Sequence, residues 1–224
     1  MLSFLTPHQP PRTRQSHLKT ISTESGRTTV EFLPNIAIDN SPHLYATRTT
    51  VPPGHTIHNP PYHYHAQQSE TFTIVSGTFL ATVNGTTSSH TSGATITVPA
   101  GAYHTFTNPS PDQPLVILTA LDPAERDRDE AFFRNLYGYL DDCEKVGRKP
   151  NLCQVMLFLW MFDCYVALPG GESWMWVMKP ISELMVWVLG VVFGKWVMGF
   201  QESYPEYWDG DVEVLRAGKG KKDL

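Results

Sequence analysis

The sequence predicts a mainly β protein, an antiparallel β-barrel or sandwich followed by a C-terminal α-helical hydrophobic extension. Short runs of β-branched and aromatic residues recur between Gly, Pro and Asn over residues 29–121, with no helical period among them. Asn84-Gly85 separates two such runs, which is typical of a tight hairpin. After Asp122-Pro123 the apolar residues have helical spacing instead, so we expect helices rather than strands from that point on.

The predicted barrel covers residues 28–122 and contains at least seven strands. The candidate strands are 29–33, 44–51, 71–76, 79–83, 86–91, 95–98, 103–108 and 115–121. Because no helix separates them, they favour antiparallel pairing. Residues 1–27 are rich in Pro, Ser, Thr and Arg and show no hydrophobic period, and we expect a flexible N-terminal arm there.

Three helices are predicted in the extension, residues 123–209. The first covers 124–145, where apolar residues at helical spacing alternate with acids and bases. Asn151 can cap a second helix over 154–168, which Pro169-Gly170 would end. A third is expected over 182–200. The remaining residues, 210–224, are predicted to be a basic tail.

Composition excludes some classes of partner. The chain has 224 residues and a net charge of −5, and no basic stripe with interleaved aromatic residues suggests nucleic acid. Charged residues make up only 17% of the chain, which indicates a large buried or partner-facing surface. Its three Cys lack the spacing of a disulfide framework or a zinc finger, so we expect a cytoplasmic protein.

The extension holds more hydrophobic residues than one small barrel can cover. All six Trp and six of the seven Met follow Leu152. The longest uninterrupted apolar run, 184–194, is shorter than the about 20 residues of a membrane-spanning helix, so no span is expected. Two interpretations stay open: the helices pack on the barrel or in a homodimer, or residues 152–200 associate peripherally with a membrane, where Trp and Lys are common.

Four side chains have the pattern of a metal site. His63 and His65 share one face of a strand because alternate side chains point the same way. Glu70 lies on one face of the next strand, and His104 follows a turn made by Pro99 and Gly101. Three imidazoles and one carboxylate suit a divalent transition metal.

These residues resemble the two motifs of the cupins, a family of small β-barrels. The first motif is matched by His63, His65, Glu70 and Gly77, and the second by Gly93, Pro99, Gly101, His104 and Asn108. The Gly that usually opens the first motif is displaced to Gly54, so residues 55–62 are expected to lengthen a loop. The resemblance covers about residues 40–122 and implies a jelly-roll barrel.

Such a ligand set leaves coordination positions for substrate or dioxygen, as catalytic metal sites do. Iron, manganese, nickel and zinc all accept it, and iron is favoured. Around the metal, Glu70 can also act as a base. Tyr62 and Tyr103 can donate a proton or orient substrate, or only pack at the rim. Phe72, Phe79 and Phe106 can line an apolar substrate pocket or belong to the core, and Asn108 is expected to be a structural hydrogen bonder.

A single cupin domain with a hydrophobic helical tail ending near residues 204–208 resembles cupin-domain oxidoreductases of filamentous fungi. Some of these are encoded in polyketide clusters, which implies a metal-dependent oxidoreductase acting on a lipophilic polyketide intermediate in secondary metabolism. Fold does not fix the reaction. A non-redox isomerase, cyclase or decarboxylase is one alternative, and a non-catalytic binding or scaffold protein anchored by its tail is another.

Overall fold

The computed structural model describes residues 9–38, 41–54, 58–170 and 172–219, without the side chains of residues 172, 218 and 219. It contains two compact units. The barrel unit is Leu18–Asp129, and the helical unit comprises the described residues of Met1–His17 and Glu130–Leu224. The predicted class, mainly β with C-terminal helices, is confirmed.

The barrel unit consists of two antiparallel sheets. Its strands are β1 (Thr20–Thr23), β2 (Thr28–Ile36), β3 (Tyr45–Val51), β4 (His63–His65), β5 (Ser69–Ser76), β6 (Thr78–Val83), β7 (Thr86–Thr91), β8 (Thr95–Val98), β9 (His104–Thr107) and β10 (Leu115–Asp122). One sheet has the order β1-β2-β3-β10-β5-β8, and the other contains β4-β9-β6-β7. Each predicted strand matches an observed one to within a few residues.

Two turns fix the register of the strands. The predicted hairpin is confirmed: Val83 pairs with Thr86, and the turn between them holds Asn84 at φ 46° and Gly85 at φ 79°. Gly77 joins β5 to β6 at a point where its backbone lies close to that of Pro114. A Cβ at Gly77 would lie 2.6 Å from the carbonyl oxygen of Pro114, so a larger residue cannot fit without moving backbone.

Alternation along the strands builds an apolar core between the sheets. The core cluster contains Val51, Phe72, Ile74, Phe79, Ala81, Val98, Ala102, Leu115 and Ile117, with Phe106 packed against it. The ring centroids of Phe72 and Phe79 are 5.0 Å apart, and those of Phe79 and Phe106 are 4.9 Å apart. These distances are typical of favourable aromatic packing.

The described part of the predicted N-terminal arm forms a strand and hydrogen bonds to distant residues. Residues 20–23 form β1, in which Ile21 pairs with Val30 of β2. In the helical unit, the backbone N–H of Thr13 donates to Asp142 at 2.7 Å, and that of Gln15 donates to the carbonyl of Glu206 at 2.8 Å. Polar residues without a period therefore still find partners far away in sequence. Residues 1–8 of the arm and residues 55–57 of the predicted long loop lie outside the described part of the chain.

The first two helices begin where predicted, but the second ends early. They are α1 (Arg126–Lys145) and α2 (Leu152–Met161). The predicted cap is confirmed, because the side chain of Asn151 accepts a hydrogen bond from the N–H of Cys153 at 2.9 Å. The prediction that α2 continues to residue 168 is wrong. Asp163 has a φ of 53°, which breaks the helix, and Cys164–Val166 form a short strand, β11.

The third helix begins earlier than predicted and is longer. It is α3 (Met175–Trp187), continued as a π-helix over Val188–Val197, and Pro180 lies inside it. The 23 residues Met175–Val197 have a mean hydropathy of 1.6 over their most apolar window and are long and apolar enough to cross a membrane. The sequence prediction counted only uninterrupted apolar residues and so missed this. A short helix, α4 (Val212–Lys219), occupies the predicted basic tail, whose last residues, 220–224, are not described.

Replacing Phe79 by Ala distinguishes its two predicted roles, which are packing in the core and lining a substrate pocket. As the side chain is completely buried, Phe79→Ala should lower the free energy of unfolding by about 3–5 kcal/mol, measured by urea denaturation. Val75→Ala, at a side chain that is 36% exposed, is the control and should change it little. A Phe79→Ala protein as stable as the control would show that this ring borders an open pocket rather than the core.

Candidate metal centre

The four predicted ligands lie together between the two sheets. His63 and His65 extend from β4, His104 from the adjacent β9 and Glu70 from β5 of the other sheet. His63 pairs directly with His104 in the antiparallel ladder. One ligand atom from each side chain can be chosen so that all four lie within 4.8 Å of one another. Residues far apart in the chain thus converge on a space of the size of one ion.

The carboxylate of Glu70 is central to the cluster. Its Oε2 lies 3.0 Å from Nε2 of His104 and 3.5 Å from Nε2 of His65. The ring centroids of His63 and His104 are 4.2 Å apart. All four side chains are buried, with between 2% and 8% of their surface exposed. Buried charges of this kind are stable only when they are paired or coordinate a metal.

Backbone carbonyls orient two of the imidazoles. Nδ1–H of His63 donates to the carbonyl of Pro61 at 2.8 Å, and Nδ1–H of His104 donates to the carbonyl of Ala102 at 3.0 Å. A hydrogen bond at one ring nitrogen fixes which nitrogen is available to a metal. In both rings this leaves Nε2 directed at the cluster.

The electrostatics combine an ionised Glu70 carboxylate with a neutral His63 and with a His104 whose pKa is raised. Burial, together with the neighbouring His104 and His65, lowers the pKa of His63 to about 3, so this ring is neutral at pH 7. Burial alone would raise the pKa of Glu70, but the hydrogen bonds from His104 and His65 outweigh it and hold that pKa below the usual range. Burial lowers the pKa of His104, but the hydrogen bond to Glu70 and the charge of that carboxylate outweigh burial. The pKa of His104 is therefore raised.

The donor set fits a divalent transition metal. Both nitrogens of His104 face acceptors, the Ala102 carbonyl and the Glu70 carboxylate, so the ring carries a proton on each. A cation bound among the four side chains would take the place of the Nε2 proton, as metal binding to imidazole does in general. Three nitrogen ligands and one oxygen ligand match the preferences of iron, manganese, nickel and zinc.

Comparison with known proteins agrees with this geometry. A family model described as a cupin domain matches residues 47–121. The probable oxidoreductase virH of Hypocrea virens is 33% identical over 166 residues, which cover 71% of this chain and 73% of that protein. The chain belongs to the cupin family. This cupin is therefore similar to a protein named as an oxidoreductase over most of the length of both.

Two further fungal relatives of this cupin are longer. The probable oxidoreductase yanE of Aspergillus niger is 31% identical over 165 residues, which cover 67% of this chain and 60% of that protein. The epoxidase atD of Aspergillus terreus is 28% identical over 187 residues, which cover 79% of this chain and 56% of that protein. The chain thus spans less than two thirds of the length of these two relatives.

The two tyrosines predicted beside the metal lie in a separate aromatic cluster. The ring of Tyr103 stacks on that of Tyr64, with centroids 5.2 Å apart, and meets the edge of Tyr62 at 5.8 Å. Tyr64 alternates with His63 and His65 along β4, so it points to the opposite face of the strand. The hydroxyl of Tyr62 accepts a hydrogen bond from the N–H of Gly85 at 2.8 Å. This placement favours packing, and a catalytic role for either tyrosine stays a prediction.

The remaining predicted residues lie in the core of the barrel unit or beside it. Phe72, Phe79 and Phe106 pack on one another in the core, and their lining of a substrate pocket stays a prediction. Asn108 is a structural hydrogen bonder, as predicted. Its Nδ2 donates to the carbonyls of Val51 at 3.2 Å and Gln113 at 2.8 Å.

Sequence reasoning missed a buried pair that supports the turn between His65 and Glu70. Nε2 of Gln68 donates to Oδ1 of Asp129 at 2.9 Å and to the carbonyl of Pro123 at 2.9 Å. Asp129 in turn accepts from the N–H of Glu125 at 2.9 Å. The pair fastens the turn that carries two ligands to the start of α1. A lone Gln gives no signal of a partner 61 residues away.

The pair also predicts a pH dependence. Burial raises the pKa of Asp129 from 3.8 to about 6, helped by Glu125 and opposed by Gln68, the Glu125 backbone N–H and Arg128. Because the folded state prefers the neutral carboxyl, its contribution to stability is present at low pH and is lost as the pH rises through about 6.

Wild type should therefore lose about 2 kcal/mol of unfolding free energy relative to Asp129→Asn between about pH 4 and pH 7. Urea denaturation of both proteins at several pH values measures this difference and cancels the titration of all other groups. A difference that does not change with pH would show that Asp129 is ionised throughout this range.

Proposed function

We propose that this protein is a metal-dependent cupin oxidoreductase acting on a lipophilic small molecule, a polyketide intermediate of fungal secondary metabolism. The observation that carries the proposal is the buried cluster of His63, His65, Glu70 and His104, with ligand atoms within 4.8 Å of one another. The fungal relatives named as oxidoreductases or an epoxidase support redox chemistry. Iron is the metal that we favour, because it accepts these ligands and also reacts with dioxygen.

The four side chains would hold the ion and leave room beside it. Three imidazole nitrogens and one carboxylate oxygen would be its ligands, which is fewer than the six that a divalent transition metal can accept. When bound, a transition metal polarises a substrate oxygen or, if it is redox-active, supplies electron transfer. The backbone carbonyls of Pro61 and Ala102 keep two of the rings oriented for this purpose.

Glu70 would have two tasks that depend on its neighbours. While the imidazoles donate hydrogen bonds to it, its pKa is low and it is a weak proton acceptor. A cation that occupies the imidazole lone pairs removes these donors, because Nε2 of His104 can then no longer carry a proton. The bound cation would itself hold the carboxylate in its ionised form, so we propose that Glu70 is a ligand that leaves the metal when it acts as a base.

The surroundings of the cluster suit a lipophilic substrate. The core cluster on the same face of β5 as Glu70 contains Phe72 and Ile74, with Phe106 packed beside them. Apolar walls exclude water and strengthen electrostatic interactions at the site. We propose a cytoplasmic protein that works beside a membrane, where such a substrate concentrates.

Metal content is the first test. Protein purified without a metal-affinity step should contain about one equivalent of a transition metal by elemental analysis. His63→Ala/His104→Ala should reduce the affinity at least about 100-fold, since two of four ligands are lost. His90→Ala is the matched control, because His90 bonds to Ser88 on β7 outside the cluster. Wild-type protein that binds no iron, manganese, nickel or zinc after anaerobic loading would contradict the proposal.

Dioxygen uptake separates the redox reaction from its non-redox alternative. With iron-loaded protein and a lipophilic aromatic polyketide as substrate, we expect dioxygen consumption that matches product formation. An isomerase, cyclase or decarboxylase would instead give a product of equal mass, or one lacking carbon dioxide, with no dioxygen consumed. The same assay addresses the scaffold alternative: a folded His63→Ala/His104→Ala protein that retains full pathway activity would show that the cluster is not catalytic.

A further inference from the structure

The long helix of the helical unit has two unlike faces. Four buried residues recur at every fourth position of α3 and its π-helical continuation: Ser182, Val186, Gly190 and Gly194. We call these the inner stripe. Positions spaced by four lie on one side of a helix, so the inner stripe is a continuous line of small and apolar contacts.

The inner stripe packs against α2 at very short range. A Cβ at Gly190 would lie 2.7 Å from the backbone nitrogen of Leu157, and one at Gly194 would lie 2.9 Å from the carbonyl oxygen of Cys153. Closer to the N-terminus of the helix, the hydroxyl of Ser182 donates to the carbonyl of Val166 at 2.6 Å. The helix is therefore fastened between Ser182 and Gly194 to the elements that precede it.

Another side of α2 is covered by polar and aromatic elements of the same unit. Phe158 is completely buried in a cluster with Tyr139 and Cys143 of α1 and with Tyr204 and Tyr207. Tyr207 donates its hydroxyl hydrogen to Asp142 at 2.8 Å. The chain after the helix is held too, since Nε2 of Gln154 on α2 donates to the carbonyl of Gln201 at 3.1 Å. The C-terminal end of the long helix thus returns to the same folded unit.

The opposite side of the long helix is exposed and apolar. Its outer face consists of Trp176 (76% exposed), Ile181 (46%), Leu184 (60%), Phe193 (44%) and Trp196 (63%). None of these five residues is charged. Contiguous apolar surfaces of this kind mark sites of interaction with a protein or a membrane.

We propose that the outer face lies in the headgroup region of a lipid bilayer, with the helix parallel to the membrane plane. A core helix of a soluble protein would be mostly buried, but only 22% of the apolar window of this helix is. Trp, which lies toward both ends of the face, is the residue most typical of membrane interfaces. Because the inner stripe and the chain after the helix are fastened to the helical unit, the helix cannot cross the bilayer without losing those contacts.

Flotation with vesicles tests this proposal. Full-length protein should float with phosphatidylcholine vesicles containing phosphatidylserine and be released by alkaline carbonate, as in-plane proteins are. Trp176→Ser/Leu184→Ser/Trp196→Ser changes only exposed side chains, so the fold should remain, and vesicle binding should fall about ten-fold or more. The control Leu44→Ser/Val75→Ser removes exposed apolar side chains from the barrel unit and should bind as wild type does.

Three results would overturn the proposal. Wild-type protein that stays at the bottom of the gradient while the vesicles float would do so directly. A dimer in solution that the triple variant converts to monomer would identify the outer face as an interface between two copies. Resistance to carbonate extraction would show that the helix crosses the membrane. None of these results depends on metal content, so they leave the proposed reaction untouched.

Discussion

The structure of the site depends on one buried carboxylate. Glu70 has only 7% of its surface exposed and nevertheless faces imidazoles on two sides, so its charge must be compensated within the barrel unit. Removing one partner from a buried ionic cluster lowers the free energy of unfolding by more than the pair contributes to it, because the remaining charge is left unpaired. The two sheets must therefore be held in register, since one supplies the carboxylate and the other supplies all three imidazoles.

The parts of this arrangement that follow from strand alternation were predictable from sequence. A period of two puts His63 and His65 on one face, and the Asn84-Gly85 turn sets the pairing of β6 with β7. The proposed roles of Tyr62 and Tyr103 rested instead on nearness in sequence to His63 and His104, and they stay predictions. Alternation along β4 turns Tyr64, and with it the ring of Tyr103, to the other face.

Contacts between distant residues could not be predicted. The bond from Gln68 to Asp129 and the docking of Thr13 on Asp142 depend on where whole elements meet, and a single sequence carries no sign of that. The predicted end of the second helix was wrong for a local reason. Asp163 adopts a left-handed conformation that few non-Gly residues take, so nothing in the composition of 154–168 indicated a break.

The low charge of the chain now has a physical explanation. Only 17% of the residues are charged, and the sequence offered two explanations, a buried surface or a partner-facing one. The first applies to the inner stripe of the long helix, which is buried against α2, and the second is what we propose for its outer face, which is apolar and exposed. Small residues in the inner stripe allow backbones to meet, and large aromatic residues outside cannot serve that purpose. Small residues on one face and large residues on the other are expected if the first face packs against a helix and the second contacts lipid.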